Sequence, residues 1–332
     1  MYVRIALSGC FTGMLLSLCS PVFSGEENAV DTAIDRGLAW VMAHPATCQD
    51  GKFQDIVDEG LFYVTVKRLS PDKAFDSQYV LAFENCISRL ETSLEFERLL
   101  EKQNKALIEH YHLLLATHLI ETVRQPTVSH DSVVAQAQRA LVNHPLENPT
   151  FRLTVALLLY HLGAVPPVNM GELLDASLIN RVTQRDVLSF PGQLPTGSLF
   201  QHSLVYYALV HEVAALTDFG HLPVPTWLIE RRGELGSILQ EGSRRAMDSS
   251  NIDLLAEIIL CNDMLDLPIA GELRLGVDFL IANQRADGSW GEQKTHRENR
   301  MRHAVQTATA ALLAYKTGCN QNTATNWHGR RC

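Results

Sequence analysis

The stretch FLIANQRADGSWGEQ, Phe279 to Gln293, reads as the end of an amphipathic helix running into a tight turn that closes on a tryptophan. Asp287-Gly288 permits a chain reversal that needs positive φ at the glycine. Such a turn lets Trp290 fold back over the preceding helix. It also lets the Gln284 amide reach backbone near the start of the next helix, clipping neighbouring helix pairs together. The unit recurs near the other end of the chain. RGLAWVMAHPATCQDGKF, Arg36 to Phe53, has a glycine, an apolar helical turn, a short polar stretch and then Asp50-Gly51-Lys52-Phe53, which matches Asp287-Gly288-Ser289-Trp290. The same supersecondary unit therefore opens and closes the domain.

Between the two copies the pattern stays helical. Apolar residues recur at helical spacing from Asn28 onward, whereas strand alternation and hairpin turns are nearly absent, so the fold class is all-α. Helices are expected at Val30–Ala43, Ile56–Leu69, Ser77–Leu90, Ser93–Val123, Ser129–Asn143, Thr150–Leu162, Met170–Leu178, Ser198–Leu216, Pro225–Gly242, Ile252–Asp263, Gly271–Asn283 and His303–Tyr315. Entry signals such as Asn148-Pro149-Thr150 and Ser249-Ser250-Asn251, and stops such as Gly163 and Gly220, mark their ends.

The turn from Leu275-Gly276 through Phe279, Gln284 and Asp287-Gly288 to Trp290-Gly291 resembles the QW repeat of terpene cyclases and protein prenyltransferase β subunits. That resemblance implies an α/α toroid: inner and outer helices alternate in a closed ring around a central cavity, here over residues 28–318. The aspartate-rich acid motifs of terpene cyclases are missing. In the prenyltransferase β pattern, zinc is held by an Asp and a Cys two residues apart and by a His opening a later inner helix. The matching residues are Cys261, Asp263 and His303, with Cys and Asp in reversed order. Three protein ligands and an open position describe a catalytic zinc site. His211, on a long apolar helix beside Glu212, is the fourth candidate, as ligand or acid/base group.

Other clusters carry weaker signals. Asp218, in Thr217-Asp218-Phe219-Gly220-His221, reads as a helix terminator. Glu109, His110, His112 and His118 are scattered along one helix. Lys294, His296, Arg297, Arg300 and Arg302 form a basic stretch, expected to overhang one mouth of the cavity. No P-loop, dinucleotide fingerprint, serine-hydrolase elbow or His-Glu-x-x-His motif is present.

A formal charge of −9 over 332 residues, without any strongly basic run, argues against nucleic acid or an anionic membrane as partner. The N-terminus, with Arg4 ahead of the apolar stretch Ile5 to Cys19 and small residues before Gly25, reads as a signal peptide over residues 1–24. The expected protein is exported, periplasmic or secreted, without a transmembrane helix. Cys10 and Cys19 offer a lipid anchor as an alternative. Five cysteines remain after such cleavage: Cys48 and Cys86 can pair if their helices are neighbours, Cys319 and Cys332 can pin a polar tail (319–332), and Cys261 is left over as a buried thiol. The leading expectation is a zinc-dependent enzyme of transferase, lyase or cyclase type, acting in the cavity on a small molecule or peptide. Its rivals are a non-catalytic binder of a peptide, lipid or glycan, and an (α/α) carbohydrate-active enzyme using carboxylates such as Asp55, Asp58 and Glu59.

Overall fold

The structure is a computed structural model and describes residues 20–44, 53–70, 84, 94–102, 105–123, 129–145, 148–182, 199–290 and 298–324. Every regular element among them is helical, as the periodicity requires. In chain order they are α1 (Ser20–Ala43), α2 (Phe53–Leu69), α3 (Leu94–Glu101), α4 (Leu107–Val123), α5 (His130–Asn143), α6 (Pro149–His161), α7 (Met170–Ala176), α8 (Leu178–Val182), α9 (Leu199–Leu216), α10 (Thr226–Ile229), α11 (Arg232–Asp248), α12 (Ile252–Met264), α13 (Glu272–Asn283) and α14 (Glu298–Ala324). Residues 1–19, which hold most of the expected signal peptide, lie outside the described residues, as do the helix expected at Ser77–Leu90, the Asp50-Gly51 turn, and Cys48, Cys86 and Cys332. None of the described helices is long and apolar enough to cross a membrane.

The observed helices depart from the periodicity at several places. The single helix expected over Ser93–Val123 is broken into α3 and α4. At the break, the Lys105 ammonium donates to the carbonyls of Leu100 and Lys102. The Glu109 carboxylate reaches back to accept from the Ala106 N–H, capping the new helix start. Two of the expected caps form, whereas Ser129 precedes the helix from His130 without a side-chain cap bond. The Asn148 side chain accepts from Thr150 N, with Pro149 in the first turn of α6, and the Asn251 side chain accepts from Leu254 N at the head of α12. α14 is much longer than His303–Tyr315: it starts at Glu298 and continues through Gly318 into the segment expected as a polar tail.

Six of the helices form a chain of neighbours. α2 packs on α4, α4 on α6, α6 on α9, α9 on α12, α12 on α14, and α14 on α2. The others sit against neighbouring members of this set: α5 on α4 and α6, α7 on α6, α8 on α9, α11 on α9 and α12, α13 on α12 and α1 on α14. Long-range bonds fix directions. At one end Asp58 of α2 faces His303 of α14; at the other Thr317 Oγ1 donates to Leu69 O, and Arg68 pairs with Asp263 of α12. α2, α12 and α14 therefore run the same way. α1 runs opposite to α14, because Gly37 lies against Thr309 while Asp31 pairs with Lys316.

The opening turn behaves as its sequence implies, with one difference. Gly288 has φ +90° and donates to Arg285 O, and Trp290 is fully buried with its indole N–H donating to Leu280 O at 2.7 Å. The Gln284 amide donates to Gly288 O and, at 2.8 Å, to Ala33 O. Its distant partner is thus the first helix rather than the start of the next one. The clip ties the last third of the chain to α1.

His110 of α4 couples folding to protonation. It is 7% exposed, and burial, with Lys105 beside it, pushes its imidazole down to about 4. The folded protein therefore resists a proton that the unfolded chain accepts near 6.5. The stabilisation is full above 6.5 and disappears as pH falls through 4. We expect His110 to remove up to about 3 kcal/mol of stability over that interval. Urea denaturation at pH 7 and pH 4 checks it: the loss should be smaller by that amount in His110→Leu.

Candidate metal centre

The site grows from one stripe of α12. Asp253 and Glu257 are four residues apart and so share a face of an otherwise apolar helix, IDLLAEIILCNDM. α14, packed alongside, brings His303 between them: His303 Nε2 lies 3.4 Å from Asp253 Oδ1 and 3.6 Å from Glu257 Oε1. On the other side of the ring, Nδ1 lies 3.8 Å from Asp58 Oδ2 of α2. One imidazole thus faces three carboxylates from two helices. The possible donor atoms of Asp253, Glu257 and His303 all lie within 4.8 Å of one another.

A second layer of contacts holds the acids in place. Tyr207 of α9 donates to Asp253 Oδ2 at 3.1 Å and lies 3.3 Å from Asn251 Oδ1, the cap of α12. Thr307 Oγ1, one turn beyond His303, is 3.1 Å from Asp253 Oδ1. Tyr111 of α4 closes the group: burial, with Asp58 and Glu257 nearby, pushes its phenol well above the ordinary range. Burial does the same to Tyr207, with Asp253 and Glu257 adding to it. Both tyrosines are neutral donors at any physiological pH.

The electrostatics describe a pit that demands a cation. Burial disfavours the His303 imidazolium, but Asp253, Glu257 and Asp58 outweigh it and raise the group to about 10. Burial also lifts Asp58 to about 6; His303 pulls it down, and Asp55, Asp253 and Glu257 push it further up. A proton on His303 is the positive charge that these acids hold between them. The polar capacity is not used up, however. Glu257 is 9% exposed and its Oε2 has no hydrogen-bond partner among the described residues, nor has His303 Nδ1. His303 keeps 34% of its side-chain surface, so a ligand can reach the group.

The expected ligand set is only partly assembled. His303 is at the centre. Cys261 lies two turns beyond Asp253 on α12, fully buried, and burial pushes its thiol far above the range in which a thiolate forms, with Glu257 adding to the effect. The donor atoms that converge on one point among the described residues are those of Asp253, Glu257 and His303, without Cys261. Asp263 is spent on Arg68, 2.9 Å away. Neither joins the His303 group. His211 is exposed, one turn beyond Tyr207 on the same face of α9, and close enough to His112 to lower that imidazole, after burial as the main cause. Glu212 is no site residue: fully buried, it accepts from Thr150 Oγ1 and from the backbone N–H of Leu178 and Ile179. Asp218 ends α9 with φ +47° and lies 2.8 Å from His118 Nε2. Lys294, His296 and Arg297 lie outside the described residues. Asp253 and Glu257 were missed, although two acids at helical spacing inside a strongly apolar helix are a signal in themselves, because a buried carboxylate needs a partner.

The chain matches the domain of unknown function DUF6895 over residues 53–319, more than half its length, and belongs to that family. No curated protein and no solved structure matches it.

Proposed function

We propose that this DUF6895 protein is a metal-dependent enzyme of α/α-toroid architecture, with Asp253, Glu257 and His303 holding a divalent cation, zinc foremost, on the wall of a central hollow. The ring reading is supported by the neighbour order: α2, α4, α6, α9, α12 and α14 each touch the next, and the last touches the first. The common direction of α2, α12 and α14, with α1 opposed, fits inner and outer helices that alternate along the chain. The clip from Gln284 to Ala33 would then be the seam that closes the ring.

One observation carries the metal reading. Three donors of the right chemistry converge within 4.8 Å, and the buried Glu257 Oε2 has no hydrogen-bond partner among the described residues. Oxygen–oxygen–nitrogen sets of this kind hold zinc and related ions. A bound ion would supply Lewis acidity and an activated water. The chain's own groups do the rest. Tyr207 and Thr307 orient Asp253. Asp58, facing the second nitrogen of His303, fixes the ring and, raised to about 6, is suited to give or take a proton near neutral pH. The reaction class is hydrolysis or group transfer on a small molecule or peptide that fits the hollow.

A second reading rests on Asp58 alone. A carboxyl raised to about 6 beside other carboxylates is also the acid–base arrangement of a metal-free glycan hydrolase. Metal analysis separates the two. Purified protein exposed to zinc is expected to retain about one equivalent per chain. Asp253→Asn and His303→Ala should lose it, while Cys261→Ala and Asp263→Asn keep it. Metal-free wild type, or loss in Cys261→Ala, would overturn the assignment; glycan cleavage by the metal-free protein would favour the second reading. We also read the N-terminal apolar stretch as a signal peptide and the protein as exported; the N-terminal sequence of mature protein tests that point.

A further inference from the structure

A separate pocket of about 720 Å³ lies between α3, the start of α4 and α5, and shares no residue with the His303 group. Its wall carries positive charge: Lys102, Lys105 and Arg139 line it together with the imidazoles of His110 and His144, against Glu101 as the lining acid. Lys105 is the unusual member. It is 5% exposed, and its ammonium donates to Leu100 O at 3.0 Å, Lys102 O at 2.7 Å and Gln136 Oε1 at 2.6 Å. All three acceptors are neutral. Glu109, the acid that acts on Lys105, is already held by Lys102 at 2.6 and 2.9 Å. Arg139, exposed at the rim, has no ion-pair partner among the described residues.

Among the described residues that ammonium bonds only to carbonyls, with Glu109 shared with Lys102, and burying charge without a counter-ion of its own is costly. The cavity directly beside it has room for that counter-ion, and Arg139 can grip an oxyanion through two N–H groups at once. We infer that this pocket binds a small molecule through a phosphate or carboxylate group, with Lys105 as the buried charge, Arg139 as the fork at the mouth and Gln136 fixing the lysine. This site stands apart from the metal reading, so either can fail without the other.

Isothermal titration with inorganic phosphate and with acetate, at constant ionic strength, tests it. Saturable binding is expected with a Kd below about 1 mM for at least one of the two anions. The preferred anion identifies the group: phosphate alone points to a phosphoryl ligand, acetate at equal strength to a carboxylate. Arg139→Gln, an exposed change that leaves the core intact, should weaken binding at least about fivefold, and Lys105→Met should abolish it. No saturation with either anion, or an unchanged Kd in Arg139→Gln, would overturn the inference whatever becomes of Lys105→Met.

Discussion

Gly288→Ala is expected to destabilise the protein by about 3–5 kcal/mol, because it combines a forbidden backbone angle with a collision. Gly288 sits at φ +90°, which an L side chain rarely adopts. A Cβ there would stand 2.3 Å from the carbonyl oxygen of Arg36, and that oxygen belongs to the backbone of α1 and cannot swing aside. Relief requires α1 and the turn to part, which breaks the Gln284 bond to Ala33 and loosens the cover over Trp290. Gln284→Ala removes the clip without the clash and should cost only about 1–2 kcal/mol. Urea denaturation of both variants checks the order. If Gly288→Ala proved no worse than Gln284→Ala, the turn would not be the rigid contact described here.

Glu212→Ala is expected to cost a comparable amount, about 3–5 kcal/mol, for a different reason. The carboxylate is fully buried and serves the N–H groups of Leu178 and Ile179 together with the Thr150 hydroxyl. It caps the short helix α8 from the side of α9, alongside the local cap Ser177, whose Oγ accepts from the Asn180 N–H. Removing it strands these donors in the interior. Glu212→Gln keeps one acceptor but turns an amide N–H₂ toward an N–H donor, so it should fall between, at about 1–2 kcal/mol. Thermal and urea unfolding of the pair should rank wild type above Gln and Gln above Ala. Equal stability of Ala and wild type would mean that these amides find other partners.

Much of this architecture is legible in the sequence because it depends on local rules. The helical period, the asparagine caps and the Asp-Gly turn act over a few residues, and they appear in α6, α12 and the turn after α13 largely as read. What escaped depends on distance in space. The broken helix between α3 and α4 turns on Lys105 bonding to carbonyls before it and Glu109 capping behind it, which periodicity alone does not see. The partner of Gln284 is 251 residues away, and no local rule names Ala33. For the site, His303 was identified through its place at a helix following the turn. The prenyltransferase-like pattern points to Cys261 and Asp263 as its partners, whereas the carboxylates that face its ring are those of Asp253, Glu257 and Asp58. Spacing of two separates side chains around a helix; spacing of four aligns them. Asp253 and Glu257 satisfy the second rule within the same thirteen-residue helix. Cys261 is sealed in the core, and Arg68 takes Asp263.

The central claim is that one ion sits among Asp253, Glu257 and His303. X-ray diffraction from zinc-soaked crystals, collected on both sides of the zinc absorption edge, tests this most directly. A single strong anomalous peak is expected within about 2.0–2.3 Å of a carboxylate oxygen of Asp253, one of Glu257 and Nε2 of His303. A peak at Cys261 and Asp263 instead, or zinc found only at the protein surface, would contradict it.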